Sequence, residues 1–151
     1  MINLILAVVL WGIAAVTGRP LFDLLAATVF LLGFAMAVVT GMLLKIAAFL
    51  IWLHLSAASD ALRTEGHRAY SVPRMKTIIS PWSGDRLLYL LIIAETITIA
   101  AIGFPVYFSS AAALLWLVQF CYLEAVLVNA LLRYRNIMQG IAIEQLARGK
   151  V

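Results

Sequence analysis

Four runs of apolar residues, separated by short polar breaks and one longer polar segment, dominate the pattern along the chain. The first, Met1 to Gly18, carries no charge and stops at Arg19. The second begins after Asp23 and holds a single charge, Lys45, before His54. Polar residues then prevail from Ser56 to Gly84. The third run extends from Leu87 to Phe104 with one charge, Glu95, and the fourth from about Tyr107 to Leu132 with one charge, Glu124. A helix rises 1.5 Å per residue, so roughly 20 apolar residues cross the ~30 Å hydrocarbon core of a bilayer. The runs match that length, and none alternates as the strands of a membrane barrel do. The expectation is an all-α integral membrane bundle of about four transmembrane helices, near 1–18, 24–54, 87–104 and 107–132, forming a single transmembrane domain.

The first run is just long enough to span. It lacks the basic segment that precedes the apolar core of a signal peptide, so it reads as a retained helix. The second run is longer than one membrane thickness, which calls for tilt, protrusion beyond the lipid, or a re-entrant break near Gly41. Within the polar segment, Asp60 to Tyr70 suits a short surface helix, while Pro73 and Pro81 interrupt the stretch beyond it. Trp82 has the character of an interfacial anchor. Gly103, Phe104 and Pro105 predict a turn, and the tail from Arg133 has the helix formers and spaced apolar residues, Ile137, Ile141 and Leu146, to continue as helix.

Composition agrees with this pattern: 65% of the 151 residues are hydrophobic and 12% charged, far from a soluble domain. The net charge of +4 does not form a nucleic-acid surface, because the basic residues flank the apolar runs. Arg63, Arg68, Arg74, Lys76 and Arg86 lie in or beside the loop 56–84, and Arg133, Arg135, Arg148 and Lys150 in the tail 133–151. The positive-inside rule puts both in the cytoplasm. Four spans with both termini inside, in a bacterial inner membrane, satisfy that rule, with only Arg19 between the first two runs and no basic residue between the last two. Cys121, the single cysteine, sits in an apolar run and reads as a packing residue.

Charges inside the apolar runs are the first candidates for function, since each is costly in lipid unless paired or hydrated. Lys45 and Glu124 fall at similar depth, each several residues toward the cytoplasmic side, and Glu95 falls near the midplane. The expectation is a Lys45–Glu124 pair, with Glu95 as the competing partner. Snorkelling of Lys45 and a protonated Glu95 are the alternatives. Gly33, Ala37 and Gly41 recur every four residues and make a helix-packing stripe with Lys45 next along it. On the fourth helix Gln119, Tyr122, Asn129 and Arg133 share one face while Glu124 lies roughly opposite, so that helix is expected to touch protein on two sides.

Two histidines, His54 at the end of the second helix and His67 in the loop, do not make a recognised ligand set for a metal. His54 remains the candidate cofactor-binding residue. Haem is the candidate cofactor, with His54 as one axial ligand and further ligands from another chain. No phosphate-binding glycine loop, zinc-protease motif or nucleophile elbow is present, so catalysis by this chain on its own is not expected.

The stretch Gly41 to His54 (GMLLKIAAFLIWLH), followed by Val72 to Ile79 (VPRMKTII), resembles a segment of poorly characterised bacterial membrane proteins. These are distantly similar to the haem-copper oxidase subunit I and NnrS-type group. The span carrying the resemblance is about a quarter of the chain. Proteins of that group hold their metals on several intramembrane histidines, and only His54 matches such a position, so a haem-copper catalytic role does not carry over. What the resemblance implies is kinship with respiratory or metal-linked membrane machinery. The sequence therefore leads first to an accessory or assembly subunit of a larger redox membrane complex, in contact with lipid and with other subunits or further copies of itself. A haem- or metal-binding membrane protein using His54 is one alternative. A small proton-coupled transporter or channel using Lys45, Glu95 and Glu124 is the other.

Overall fold

Gly18 sets the first feature of the fold. Its φ of +63° lies in the left-handed region, the position that ends a helix with least strain when no Cβ is present. Its N–H donates to Ala14 O at 2.8 Å, closing helix α1 (Ile2–Thr17). Two residues later Pro20 begins α2 (Pro20–Thr64), where its fixed φ and missing N–H cost nothing. The computed structural model describes residues 2–64 and 72–148, without the side chains of 75, 76, 141 and 143–148. It continues with a short helix α3 (Met75–Ile78), then α4 (Pro81–Gly103) and α5 (Pro105–Arg148). Among the described residues there is no strand, and the chain is all-helical.

Three helices are long and apolar enough to cross a membrane, within Pro20–Thr64, Pro81–Gly103 and Pro105–Gly140. The expected count of four is not reached on this criterion, because α1 has 16 residues and a length of only ~24 Å. The long helices present mostly apolar side chains on their exposed faces, as contact with a lipid bilayer requires. Three hydroxyls on these helices turn back onto their own backbone: Thr28 donates to Leu24 O, Thr96 to Ile92 O and Thr98 to Ala94 O. Each of the three is thereby satisfied without water.

Several boundaries differ from the sequence expectation. Helix α2 runs on to Thr64 instead of ending at His54, because Leu55, Ser59 and Leu62 continue the buried stripe begun by Ala48 and Ile51. The polar residues Asp60 and Arg63, which suggest a loop by composition, occupy its exposed face. There is no break at Gly41. The irregularity lies earlier, in a π-helical turn over Val29–Ala35 where the Met36 N–H faces the carbonyls of both Leu31 and Gly33. Pro81 starts α4 instead of interrupting the chain, six residues ahead of the expected start at Leu87. Phe104 alone separates α4 from α5, and α5 absorbs the tail into a helix of 44 residues. His67, Glu65 and Arg68, with most of the surface helix expected at Asp60 to Tyr70, lie outside the described residues.

The chain forms two compact units. The first combines residues 1–42 with 84–123. In it α1 packs on α2, where Ala7, Ala14, Ala26 and Val29 are buried, and Leu87, Leu91 and Ala94 of α4 are buried as well. The second combines residues 43–83 with 124–151. Its core is Ile51, Leu55, Ile78 and Ala130, with Trp52, Tyr134, Ile137 and Met138 packed around them.

Candidate functional site

The hairpin of α1 and α2 places residues equidistant from Gly18 opposite each other. Asn3 stands fifteen positions before that glycine and Gly33 fifteen after it. Glu95 of α4 closes the group. Asn3 Nδ2 donates to Glu95 Oε2 at 2.8 Å, and the Glu95 side chain is only 7% exposed. Gly33 is buried beneath both: a Cβ there would press on Glu95 Oε1 and fall 2.6 Å from Glu95 Cδ and 2.5 Å from Asn3 Nδ2. Only glycine allows this approach. The π turn around Gly33 is the local deformation that presents its backbone to the carboxylate, and such turns recur at functional positions in helices. Beside the group lies an open cavity of about 470 Å³ lined by Gly33, Phe34, Ala37, Leu88 and Leu91, with Asn3 as its polar side chain.

A second polar layer lies between α4 and α5. Trp116 Nε1 donates to Thr98 Oγ1 at 3.0 Å, and Gln119, 1% exposed, reaches Leu87 O through Nε2 at 3.3 Å. Gln119 Oε1 and Thr40 Oγ1 are buried without a hydrogen-bond partner among the described residues. Sequence gives no reason to single out Asn3 or Thr40. A polar residue near a chain end, or a threonine in an apolar run, carries no signal until a neighbour is known.

The expected pair of Lys45 and Glu124 does not form. Both side chains are exposed, and no ion pair is formed among the described residues. Each helix buries its apolar stripe against the core, and at 100° per residue Lys45 lies roughly 80° and Glu124 roughly 140° away from that stripe. The residues expected on the face of α5 roughly opposite Glu124 divide: Gln119 is buried, Tyr122 half-buried, Asn129 and Arg133 exposed. In the small-residue stripe, Gly33 is the close contact. Ala37 is half-buried, and around Gly41 an added Cβ would meet nothing within 4 Å.

His54 sits on the surface of the second unit. Its Nδ1 lies 2.8 Å from Leu50 O, and since a carbonyl only accepts, Nδ1 carries a proton, which in the neutral tautomer leaves the lone pair on Nε2. The ring meets Tyr134 edge-on with centroids 6.3 Å apart. A carbonyl-anchored Nδ1 is the usual support of a metal-binding Nε2. The adjoining groove, lined by Leu50, Ile51, Leu131 and Tyr134, has a volume of about 170 Å³. That is below the ~300 Å³ at which ligand pockets begin, so any haem here needs walls from another chain. Among the described residues no three metal-ligating side chains cluster.

No protein-family model, no curated protein and no solved structure matches this chain.

Proposed function

We propose that the chain is a small membrane subunit that works by packing against other membrane polypeptides, as an accessory or assembly component of a larger complex. The observation that carries this reading is the state of Lys45 and Glu124. Each is the sole charge in a long apolar stretch, each is exposed, and neither has an ionic partner among the described residues. A charge left facing lipid costs up to about 2.5–3.5 kcal/mol at the helix centre on insertion scales, and less toward the helix ends where these two stand. A neighbouring polypeptide that pairs with it removes that cost. The respiratory or redox class of complex is suggested by the resemblance around His54. In this reading the membrane is a bacterial inner membrane, with the arginine-bearing loop and tail on its cytoplasmic side.

Purification from native membranes in a gentle detergent, with mass spectrometry of the co-purifying polypeptides, tests the proposal. The expected result is a stoichiometric partner polypeptide that is lost when Lys45 and Glu124 are both replaced by Ala. A solitary monomer overturns it.

A second reading is favoured by one feature, the free Nε2 of His54 over a shallow groove. In it His54 supplies one axial ligand to a haem whose other face and walls belong to a partner chain. The same preparation would then show a haem absorption band that disappears in His54→Ala. A colourless complex excludes this reading and leaves the first intact.

A further inference from the structure

We infer that Lys45 and Glu124 form the contact surface for a second copy of this chain, each lysine facing the partner copy's glutamate across a two-fold axis along the membrane normal. The inference rests on the subunit reading and names the partner.

Contacts between helices give their directions. In the first unit α2 and α4 run antiparallel: Glu95 meets Gly33, and the cavity beside them is lined by residues after Gly33 on α2 (Phe34, Ala37, Val38) and residues before Glu95 on α4 (Leu88, Leu91, Ile92). Helices α4 and α5 are antiparallel as well, since Thr98 bonds Trp116 while Leu87, farther back on α4, bonds Gln119, farther on along α5. It follows that α2 and α5 point the same way. In the second unit their register can be read directly. His54 touches Tyr134, and Leu50, Ile51 and His54 share a groove with Leu131 and Tyr134, a constant offset of about 80 positions. Carried back along both helices, that offset puts Lys45 level with Glu124 to within one residue.

Equal depth is the condition a two-fold dimer in a membrane imposes. Copies of one chain insert in one orientation, so a residue can meet only residues at its own level on its neighbour. In a closed two-fold contact, if Lys45 touches the other copy's Glu124, the reverse contact follows by symmetry. One cation and one anion, level, exposed and without an ionic partner among the described residues, meet that condition. An unrelated subunit would demand no match in depth between the two. The flanking exposed residues, Met42 and Phe49 on α2 and Phe120 and Val128 on α5, are apolar, so the pairs would be shielded from water and bound within a lipid-facing surface.

The test uses the full chain with Cys121→Ser, co-expressed in two differently tagged forms, one carrying Lys45→Cys and the other Glu124→Cys. Mild oxidation of the membranes is expected to give a disulfide-linked pair holding both tags. In the charged chain, K45E or E124K alone is expected to reduce recovery of one tag with the other at least tenfold, and the K45E/E124K double variant to restore it. Restoration also excludes misfolding as the cause of the single-variant losses. If no cross-link forms and the charge swap restores nothing while a different polypeptide co-purifies in stoichiometric amount, the second copy is overturned and the subunit reading stands. If the protein purifies alone as a monomer, both fall.

Discussion

Glu95 stands out in the sequence as a charge within an apolar run, whereas its setting needs the fold. Neither Asn3 nor Gly33 announces that it will lie beside that carboxylate, because the hairpin at Gly18 and the return of α4 bring together residues up to 92 positions apart. Gly33 does register as part of a small-residue stripe, though its closest neighbour is the polar group rather than an apolar helix. Gly33→Ala forces a methyl against Glu95 and Asn3, and overpacking of this kind costs about 1–3 kcal/mol. Thermal unfolding in detergent should show the loss, and Gly41→Ala, where a Cβ meets nothing within 4 Å, should leave stability unchanged or slightly raised. A double-mutant cycle on Asn3→Ala and Glu95→Ala should give a coupling of about 0.6 kcal/mol, the average for hydrogen bonds between membrane helices, and no more than about 1.7 kcal/mol. A coupling near zero would mean that the 2.8 Å contact contributes nothing to holding α1 on α4.

Helix existence is legible in the sequence and helix ends are less so. The apolar runs announce α1, α2, α4 and α5. Pro20, Pro81 and Pro105 are all first residues of helices, yet at Pro81 the same residue suggests an interruption, since proline starts a helix as readily as it stops one. Polar composition alone ends α2 too early, although Leu55, Ser59 and Leu62 keep the helical spacing. The π turn has no signature at all. Val29 to Ala35 is apolar at every position, so the sequence carries no phase from which an extra residue could be noticed. Deleting Leu31, an exposed residue inside that turn, should convert it to regular α-helix with the flanking parts of α2 still in phase, because a π turn takes up one extra residue. The widened backbone that Gly33 presents to Glu95 is then lost. The expected consequence is a fall in thermal stability comparable to that of Gly33→Ala, whereas deletions that merely shorten a helix end, as at Arg148, should be tolerated.

At the scale of the whole molecule, three helices have the length and composition to cross a membrane, and α1 is the one whose crossing is in question. If α4 and α5 each cross, the segment that carries Arg74 and the tail that carries Arg135 fall on one side whatever α1 does. Arg19 and Phe104 then fall on the other. Helix α1 then leaves Gly18 from that second side, and its other end is tied through Asn3 to Glu95; Asn3 stands fifteen residues, or ~22 Å, from Gly18 along α1, and Glu95 eight residues, or ~12 Å, from Gly103 along α4. Both lengths fall short of the ~30 Å hydrocarbon core. The tether therefore holds Ile2 within the bilayer rather than at its far surface. Single cysteines in a Cys121→Ser chain test this with a membrane-impermeant maleimide. Arg74→Cys and Arg135→Cys should react from one side, Arg19→Cys and Phe104→Cys from the other, and Ile2→Cys from neither, reacting only with a permeant reagent. Replacing Asn3 by Ala in the Ile2→Cys chain should loosen the tether and raise labelling from the Arg135 side. If Ile2→Cys already reacts there as fast as Arg135→Cys, α1 crosses the membrane completely and the Asn3–Glu95 contact lies nearer that surface than the middle of the bilayer.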